Sequence, residues 1–432
     1  MPADQSGEAI AADPTRRSRL AKWLSRVPDR RSHLGRWHRL TFVLSLAVCA
    51  MTAVGVDSVT AIGEWAAGCS QETLEVLGGR MDPFRGRYRA PSTRTFGRVL
   101  AGIDIEAFNA AVYGSLREWA DRAGYQDPVS PVLDQITRAE REQRRAVADH
   151  AAAGQPRPTG PALLPVAAGD GKVARGAVRP DGTQVNLLSI MDVATGTTLA
   201  QREINAKTNE IPELAPAIAH LNLTDTVVTL DALHTQVATA RHIVEDKHGH
   251  YLLIVKGNQP TLLAAIIDLL SGPDTDFAAT TDITHDRGHG RRERRTVRTA
   301  SANSIDFPHA RQVFRIRRDV GELDGPWTRK EVVYGITDLG PAQAGSAQIG
   351  IYARRHWAIE NRSHHVRDTT FREDASQVKT ANLPHALATI RNLVIGAFRL
   401  TGYANTAHAR RHHGRDDHRI LNLYRFRHPV TQ

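Results

Sequence analysis

The sequence contains little cysteine and little lysine. Its two cysteines, Cys49 and Cys69, exclude a disulfide framework and a cysteine-based zinc site, and they fit a reducing cytoplasm. Lysine occurs seven times, so arginine supplies the other 49 of the 56 basic residues. The planar guanidinium of arginine suits bidentate contacts with phosphate. A GC-rich genome, which favours arginine codons, would account for the same excess.

The net charge is strongly positive. A formal charge of +10 and a pI near 9.9 favour a polyanionic partner, either nucleic acid or an acidic membrane surface. A chain of 432 residues has room for two or three domains and a sizeable core.

Long hydrophobic runs are rare, and the one candidate membrane segment is Leu40 to Val56. It has 17 residues, at the bottom of the spanning range, and it contains Ser, Thr and Gly. A transmembrane or signal-peptide segment is one interpretation. We expect instead a buried helix of a small helical domain, because Ile105, Phe108 and Val112 recur nearby at helical spacing and need a surface to pack against. No membrane partner is therefore predicted.

Changes of pattern divide the chain into five segments. Residues 1–33 are polar and Arg-rich and predict a disordered basic arm, and residues 34–125 predict a small all-α domain. Prolines bracket a charged stretch in residues 126–160, which predicts a linker. Residues 161–402 predict an α/β domain, and residues 403–432 a basic C-terminal tail.

A short capped helix in the all-α domain is a candidate DNA contact. Ser92 or Thr93 can cap it, and Arg94 and Arg98 then point outward. Such a helix could enter a groove of DNA. Many capped surface helices carry two arginines and bind nothing, so both interpretations stay open.

The stretch from Leu163 to Glu203 predicts three strands joined by turns. Asp170-Gly171-Lys172 is predicted to stop the first strand with an acid and a turn former. Asp181-Gly182 predicts a tight hairpin between the next two. An Asp-Gly pair is most often a plain turn, so Asp170 needs support from other residues.

A second buried strand, TVVTLD, also ends in an acid, Asp231. Neighbouring strands place such carboxylates side by side, where they repel unless cations separate them. That setting suits a hard divalent ion with oxygen ligands. A third buried strand, YLLIVK, ends at Lys256, and residues 272–345 then predict arginine-loaded strands, which we interpret as an inserted subdomain with one basic face.

The helical stretch from Ala353 to Phe371 contains a third acid, Glu360. His356 precedes it by four residues, while His364 and Arg367 follow by four and seven, so basic groups flank the acid on one face. This pattern fits a phosphoryl-transfer site and equally an ordinary salt-bridge stripe. Glu373 is close enough in sequence to compete as the third acid.

These motifs together resemble the DDE transposases of bacterial insertion sequences, in the branch of H-repeat-associated proteins. The segments that carry the resemblance are DGK at Asp170, AKTNEIPEL, the strand of Asp231 with ALHTQ, VKGNQP, HGRRERR, RRHWAIEN and DTTFREDAS. AIGEWA and PSTRTFGRVL resemble the helical domain associated with that family.

The resemblance implies an RNase H-like mixed sheet flanked by helices, with Asp170, Asp231 and Glu360 as catalytic acids that hold two Mg²⁺ ions. Mn²⁺ is expected to substitute. The implied activity is metal-dependent cleavage at element ends and strand transfer into target DNA, with double-stranded DNA as partner, a homo-oligomeric synaptic complex, and a location at the bacterial nucleoid in the cytoplasm. The side chains expected at DNA phosphates are Lys172, Lys256, Arg291, Arg354, His356, Arg367, Arg94 and Arg98.

Three positions depart from the family pattern: Val173, Arg292 and His365. None of them removes an expected metal ligand, but a catalytically decayed or domesticated relative is an alternative. A DNA-binding regulator would need only the N-terminal helices and would have no use for three convergent acids. A zinc protein is a further alternative, suggested by His408, His412, His413 and His418.

Overall fold

The computed structural model describes residues 18–33, 36–123, 163–204, 210–288 and 290–426. The expected linker at 126–160 lies outside these ranges, as does His289 at the start of the HGRRERR motif. The chain forms two compact units, Met1–Ser115 with Arg410–Gln432, and Leu116–Ala409.

The first unit is built mainly from helices. Those of the N-terminal part are α1 (Arg19–Leu24), α2 (Leu40–Thr52), α3 (Val59–Gly68), α4 (Gln71–Val76), α5 (Thr93–Ala101) and α6 (Ile105–Arg122), the last of which continues into the second unit. Two very short strands, β1 (Met81–Asp82) and β2 (Arg87–Tyr88), form an antiparallel hairpin. The sequence predicted an all-α domain, and the described unit contains this short hairpin in addition to its helices.

Helix α2 is the centre of this unit. Every residue of α2 except Thr41 is buried, and the helix packs against α1, α3 and α5. The long apolar run is thus a buried helix of 13 residues. Across the described residues no single helix is both long and apolar enough to cross a membrane, although α5 and α6, bent by 98°, pass such a test as a pair.

The second unit contains one nine-stranded sheet. Its strands are β3 (Val166–Val178), β4 (Gln184–Asp192), β5 (Thr198–Ile204), β6 (Val227–Leu230), β7 (His250–Val255), β8 (Thr281–Gly288), β9 (Arg291–Ser301), β10 (Gln312–Glu322) and β11 (Trp327–Thr337). Their order across the sheet is β5-β4-β3-β6-β7-β11-β10-β9-β8. The pairs β3–β6 and β6–β7 are parallel and all the others are antiparallel.

Helices cover both faces of this sheet. They are α7 (Ile211–Ile218), α8 (Val237–Arg241), α9 (Pro260–Leu269), α10 (Ser346–His356), α11 (His365–Phe371) and α12 (Leu383–Leu400). Successive strand residues face opposite sides, so Leu253 packs in one core with Leu214 of α7, whereas Leu252 packs in the other with Tyr352 of α10. The result is a mixed α/β unit with a sheet between helical layers.

The first strand does not stop at Asp170, which corrects the sequence interpretation. Strand β3 pairs with β6 only as far as Gly169, but its pairing with β4 continues through Asp170 to Ala174. Asp170 therefore lies within a strand, at the point where one neighbour ends. The hairpin at Asp181-Gly182 is confirmed, with Gly182 at φ +82°, a conformation that favours glycine.

The strands of residues 272–345 belong to the central sheet. Residues Tyr334 to Thr337 of β11 pair with Val255 to Leu252 of β7, so β8–β11 extend the central sheet. The arginine-rich pattern of these strands concealed this continuity. Apolar residues of β9–β11, such as Val297, Val313 and Ile336, pack in the same cores as β7.

The two chain ends also differ from the prediction where they are described. Arg19–Leu24 in the expected arm is helical, because Leu20 and Leu24 lie one turn apart and are both buried. The expected tail forms α13 (Thr406–His413) and α14 (Asp417–Leu423). The hydroxyl of Ser18 donates a hydrogen bond to the carbonyl of Tyr424 (2.7 Å), so both ends belong to one packed unit.

Candidate active site

Asp170 and Asp231 each follow the last paired residues of two parallel strands. Asp231 is not among the possible metal ligands that lie within 4.8 Å of one another around Asp170. The last residue pair of β3 and β6 is Gly169 with Leu230. The next residue on each strand is one of the two acids, and neighbouring strands lie about 4.8 Å apart. Residues 61 positions apart in sequence thus emerge at the same edge of the sheet.

Glu360 reaches Asp170 from a different element. The helical segment after α10 contains a π turn, Glu360–His364, in which His364 follows Glu360 by four residues. The Nδ1 atom of His364 lies 3.0 Å from a carboxylate oxygen of Glu360 and 3.5 Å from one of Asp170. Potential ligand atoms of these three residues all lie within 4.8 Å of one another, which is close enough to hold one ion.

Asp231 has its own cationic neighbour. The Nζ atom of Lys256 lies 3.4 Å from its carboxylate, and the backbone N–H of Ala232 donates a hydrogen bond to the same oxygen (2.6 Å). Burial opposes ionisation, but these two interactions outweigh it and lower the pKa of Asp231. The nearby His356 contacts the hydroxyl of Thr229 (3.3 Å), and burial lowers its pKa. His356 therefore lies beside Asp231 and is partly buried, which disfavours its protonation.

Asp170 lies in a more negative environment than Asp231. Burial raises its pKa to about 6; His364 opposes that rise, whereas the charges of Glu210 and Glu360 add to it. The hydrogen bond with His364 lowers the pKa of Glu360. A buried carboxylate beside two other acids is stabilised when a cation binds among them. The oxygen-rich set of donors is therefore suited to a divalent ion such as Mg²⁺.

Glu210 belongs to this site and was not assigned a role from the sequence. A side chain at position 171 would overlap the carboxylate of Glu210, so Gly171 leaves the space that brings this acid beside Asp170. The buried His234 holds the carboxylate from the other side, at 3.3 Å. The only sequence signal was that Glu210 lies in AKTNEIPEL and His234 in ALHTQ.

Lys172, Arg367 and Glu373 do not face the site. Lys172 is buried and pairs with Asp368 (2.8 Å) and Asp374 (3.3 Å), so its ammonium group is not available to phosphate. Arg367 is fully buried and pairs with Glu373. The sequence count placed Arg367 on the face of Glu360, but the π turn between them contains an extra residue and rotates the following helix.

Glu373 is neutralised by two guanidinium groups. It pairs with Arg391 (3.2 Å) as well as Arg367, and although burial opposes ionisation, the two charges lower its pKa to about 2. An acid already paired in this way has no free charge for a metal ion. The geometry therefore favours Glu360 over Glu373 as the third acid.

The remaining residues expected at phosphate differ in their surroundings. Lys256 and Arg291 are exposed, whereas Arg354 is partly buried and lies 3.5 Å from Asp286. In the first unit, Ser92 caps α5 through the backbone N–H of Thr95, and Arg94 and Arg98 are exposed one turn apart. The predicted cap and the outward arginines are thus both observed.

The strands β8–β11 continue beyond the end of β7 that Lys256 follows. Since Tyr334 pairs with Val255, the part of β11 that precedes Tyr334 extends past the end of β7 from which Lys256 follows. By the two-residue period, one face of this extension carries a single acid, Asp319, among basic side chains. These are Arg287, Arg292, Arg294, Arg315, Arg317 and Lys330.

Metal-ligating side chains cluster at one place in the described part of the chain. That group is Asp170, Glu360 and His364. His408, His412, His413 and His418, which suggested zinc, do not form such a group.

Comparisons with known proteins agree with these features. The family model described as "Transposase DDE domain" matches residues 176–395, and the model described as "DDE_Tnp_1-associated" matches residues 21–116. The chain is 26% identical over 398 residues to "Putative transposase YncI" of Escherichia coli O157:H7, covering 88% of this chain and 87% of that protein. It is 25% identical over 226 residues to "H repeat-associated putative transposase YhhI" of Escherichia coli K12, covering 49% and 57%.

Among solved structures, the chain is similar to a piggyBac transposase in a synaptic complex with hairpin DNA. That similarity has 11% sequence identity and a TM-score of 0.39, and it covers 94% of this chain and 75% of the other. At this TM-score it carries no argument about the site.

Proposed function

Because this chain belongs to the DDE transposase family, in the branch of the H repeat-associated transposases, we propose that it cuts DNA at the ends of its own element and joins those ends to target DNA. Asp170, Asp231 and Glu360 are the proposed catalytic acids. The observation that supports this most directly is the cluster of Asp170, Glu360 and His364, whose possible ligand atoms all lie within 4.8 Å of one another, while Asp231 follows the strand that pairs with the strand of Asp170.

The strand order supports an RNase H-like core. The five strands β3–β7 lie in the order β5-β4-β3-β6-β7, so the first strand is central, two antiparallel strands lie on one side, and two parallel strands on the other. This arrangement places the acids of β3 and β6 at adjacent positions. We propose that β8–β11 are an addition to that core.

The donor set is compatible with divalent ions. When bound, two Mg²⁺ ions would activate the attacking oxygen and stabilise the leaving oxygen of an in-line displacement at phosphorus. Asp170, Asp231 and Glu360 are the residues that would hold these ions. The backbone N–H of Ala232 holds the carboxylate of Asp231, and His364 contacts those of Glu360 and Asp170.

Two successive reactions would use the same site. In the first, a water oxygen attacks phosphorus at the element end and the 3′ oxygen leaves with the cut strand. In the second, that 3′ hydroxyl attacks a phosphodiester of target DNA and a target oxygen leaves. Lys256, exposed beside Asp231, is placed to hold a phosphate.

We propose that the basic face of β8–β11 binds DNA outside the site, because it lies on the sheet face of Val313 and Tyr334 whereas Asp170 lies on the opposite face, with Ala168. It extends past the same sheet end as Lys256, and Trp327 stacks under Arg292 and Arg294 at 4.5 and 5.2 Å. Arginine contacts of this kind give affinity that falls with salt and carries little sequence preference. Arg94 and Arg98 on α5 are the proposed contacts of the first unit.

The test is cleavage of a DNA duplex that carries the element ends by purified full-length protein. We expect nicks and strand-transfer products with Mg²⁺ or Mn²⁺, and none with excess EDTA. The Asp170→Asn variant is the matched control, since it keeps the side chain's size and removes its charge. Undiminished cleavage in EDTA would contradict the proposed chemistry, whereas binding of the ends without any cleavage would indicate a decayed copy.

A further inference from the structure

His364 lies between two of the acids rather than beside them. Its side chain is 4% exposed, and its Nδ1 atom is within 3.5 Å of both Asp170 and Glu360. Ligands at right angles on one ion, with metal–oxygen distances of about 2.1 Å, are roughly 3 Å apart. The observed separations of 3.0 and 3.5 Å are close to that value.

The rest of the imidazole is consistent with a ligand. The Nε2 atom of His364 is buried and has no hydrogen-bond partner among the residues that the structure describes. The ring is therefore oriented through Nδ1, the nitrogen that faces the two acids. With its proton on Nδ1, the ring donates a hydrogen bond to Glu360; with its proton on Nε2, the lone pair of Nδ1 would face an ion bound among the same carboxylate oxygens.

The backbone conformation around Glu360 and His364 is also unusual. Glu360 and His364 are the first and last residues of the π turn, an element that is rare in proteins and occurs often at functional sites. The turn directs both side chains at Asp170 while the next basic residue, Arg367, points into the interior.

We propose that His364 is a metal ligand together with Asp170 and Glu360, and that the ion position they form binds Mn²⁺ more tightly than Mg²⁺. This rests on the proposed function, since it concerns the same site. Mg²⁺ takes oxygen ligands almost exclusively, whereas an imidazole nitrogen in the donor set favours transition-metal ions.

The test is direct detection of the nitrogen on bound Mn²⁺. Metal-depleted full-length protein is titrated with Mn²⁺, the free ion is followed by electron paramagnetic resonance, and the bound ion by pulsed measurements that report ¹⁴N coupling. We expect ¹⁴N coupling in the wild type. The His364→Gln variant should lose that coupling, and its Mn²⁺ affinity should fall roughly tenfold or more, with a smaller loss for Mg²⁺.

His365→Gln is the matched control, because His365 is the next residue along the chain and is exposed. It should keep both the coupling and the affinity. Circular dichroism checks the folding of each variant, and the wild-type spectrum is informative even if His364→Gln does not fold.

Two failures are distinguishable. If Mn²⁺ binds, and Glu360→Gln weakens it, but the wild type shows no ¹⁴N coupling, His364 is not a ligand and the acidic metal site still stands. If Mn²⁺ binding is absent, or is unchanged in both Asp170→Asn and Glu360→Gln, the proposed metal site is wrong and the histidine proposal is wrong with it.

Discussion

Two glutamates 13 residues apart, Glu360 and Glu373, have opposite surroundings. Glu360 has a side chain that is 54% exposed, and it faces Asp170 across His364. Glu373 has a side chain that is 3% exposed, and it lies between the guanidinium groups of Arg367 and Arg391. Glu360 belongs to a cluster of acids, whereas the charge of Glu373 is compensated by two arginines. The difference indicates that an acid available to a metal ion is identified by the charges around it, not by its place in a motif.

The largest expected effect is a loss of strand cleavage when Glu360, the exposed glutamate, is replaced. Glu360→Gln should reduce strand cleavage by roughly a thousandfold or more, because several kcal/mol of charge stabilisation are lost with the carboxylate. Its affinity for end DNA should be unchanged or slightly higher, since a negative charge near phosphate is removed. Single-turnover cleavage and gel shifts at matched folded concentration measure the two quantities. Full activity in Glu360→Gln would mean that Glu360 is not the third acid.

Glu373, the buried glutamate, should contribute to the stability of the fold and not to cleavage. Glu373→Gln leaves Arg367 and Arg391 without their carboxylate, and breaking a buried ion pair in this way typically reduces the free energy of unfolding by about 3–5 kcal/mol. Urea denaturation followed by circular dichroism measures the change. At temperatures where the variant remains folded, its cleavage rate per folded molecule should stay near that of the wild type. A cleavage defect with unchanged stability would reverse the assignment of the two glutamates.

The pH dependence of stability tests whether Asp170 also carries a charge that lacks compensation. Its pKa of about 6 in the folded protein is above the ordinary value of 3.8, so the folded state binds more protons and its stability decreases as pH rises from about 4 to 6. Without metal, Asp170→Asn should therefore be more stable than the wild type at pH 7, by about 3 kcal/mol. The difference should disappear near pH 4. Thermal unfolding at the two pH values tests this, and an equal difference at both would contradict the burial of an uncompensated charge.

The smallest expected effect distinguishes two lysines. Lys256 is exposed beside Asp231, whereas Lys172 is buried with Asp368 and Asp374. Lys256→Met should weaken DNA binding a few-fold and reduce the salt slope by about one. Lys172→Met should leave the salt slope of the folded protein unchanged. Binding isotherms between low and moderate salt measure both, and a reduced slope in Lys172→Met would contradict its assignment to the interior.

Local features of the fold could be predicted because neighbouring residues create them. Asp181-Gly182 formed its hairpin, Ser92 capped α5, and His364 reached Glu360 one turn away. The ends of the buried strands at Asp231 and Lys256 were also read correctly from short apolar runs. In each case the determining contacts lie within a few residues along the chain.

Long-range pairing decided the rest. The sequence could not show that β11 pairs with β7, that Glu210 fills the space above Gly171, or that Arg367 turns inward to Glu373. Asp231 was identified from sequence as a strand-end acid, but only the register of β3 against β6 and β4 showed that Asp170 lies within its strand, one residue beyond the last pair with β6. Residue types and local periods determine which side chains are available for chemistry. Which of them meet depends on strand order and on the burial of charge, and both are properties of the whole packed unit.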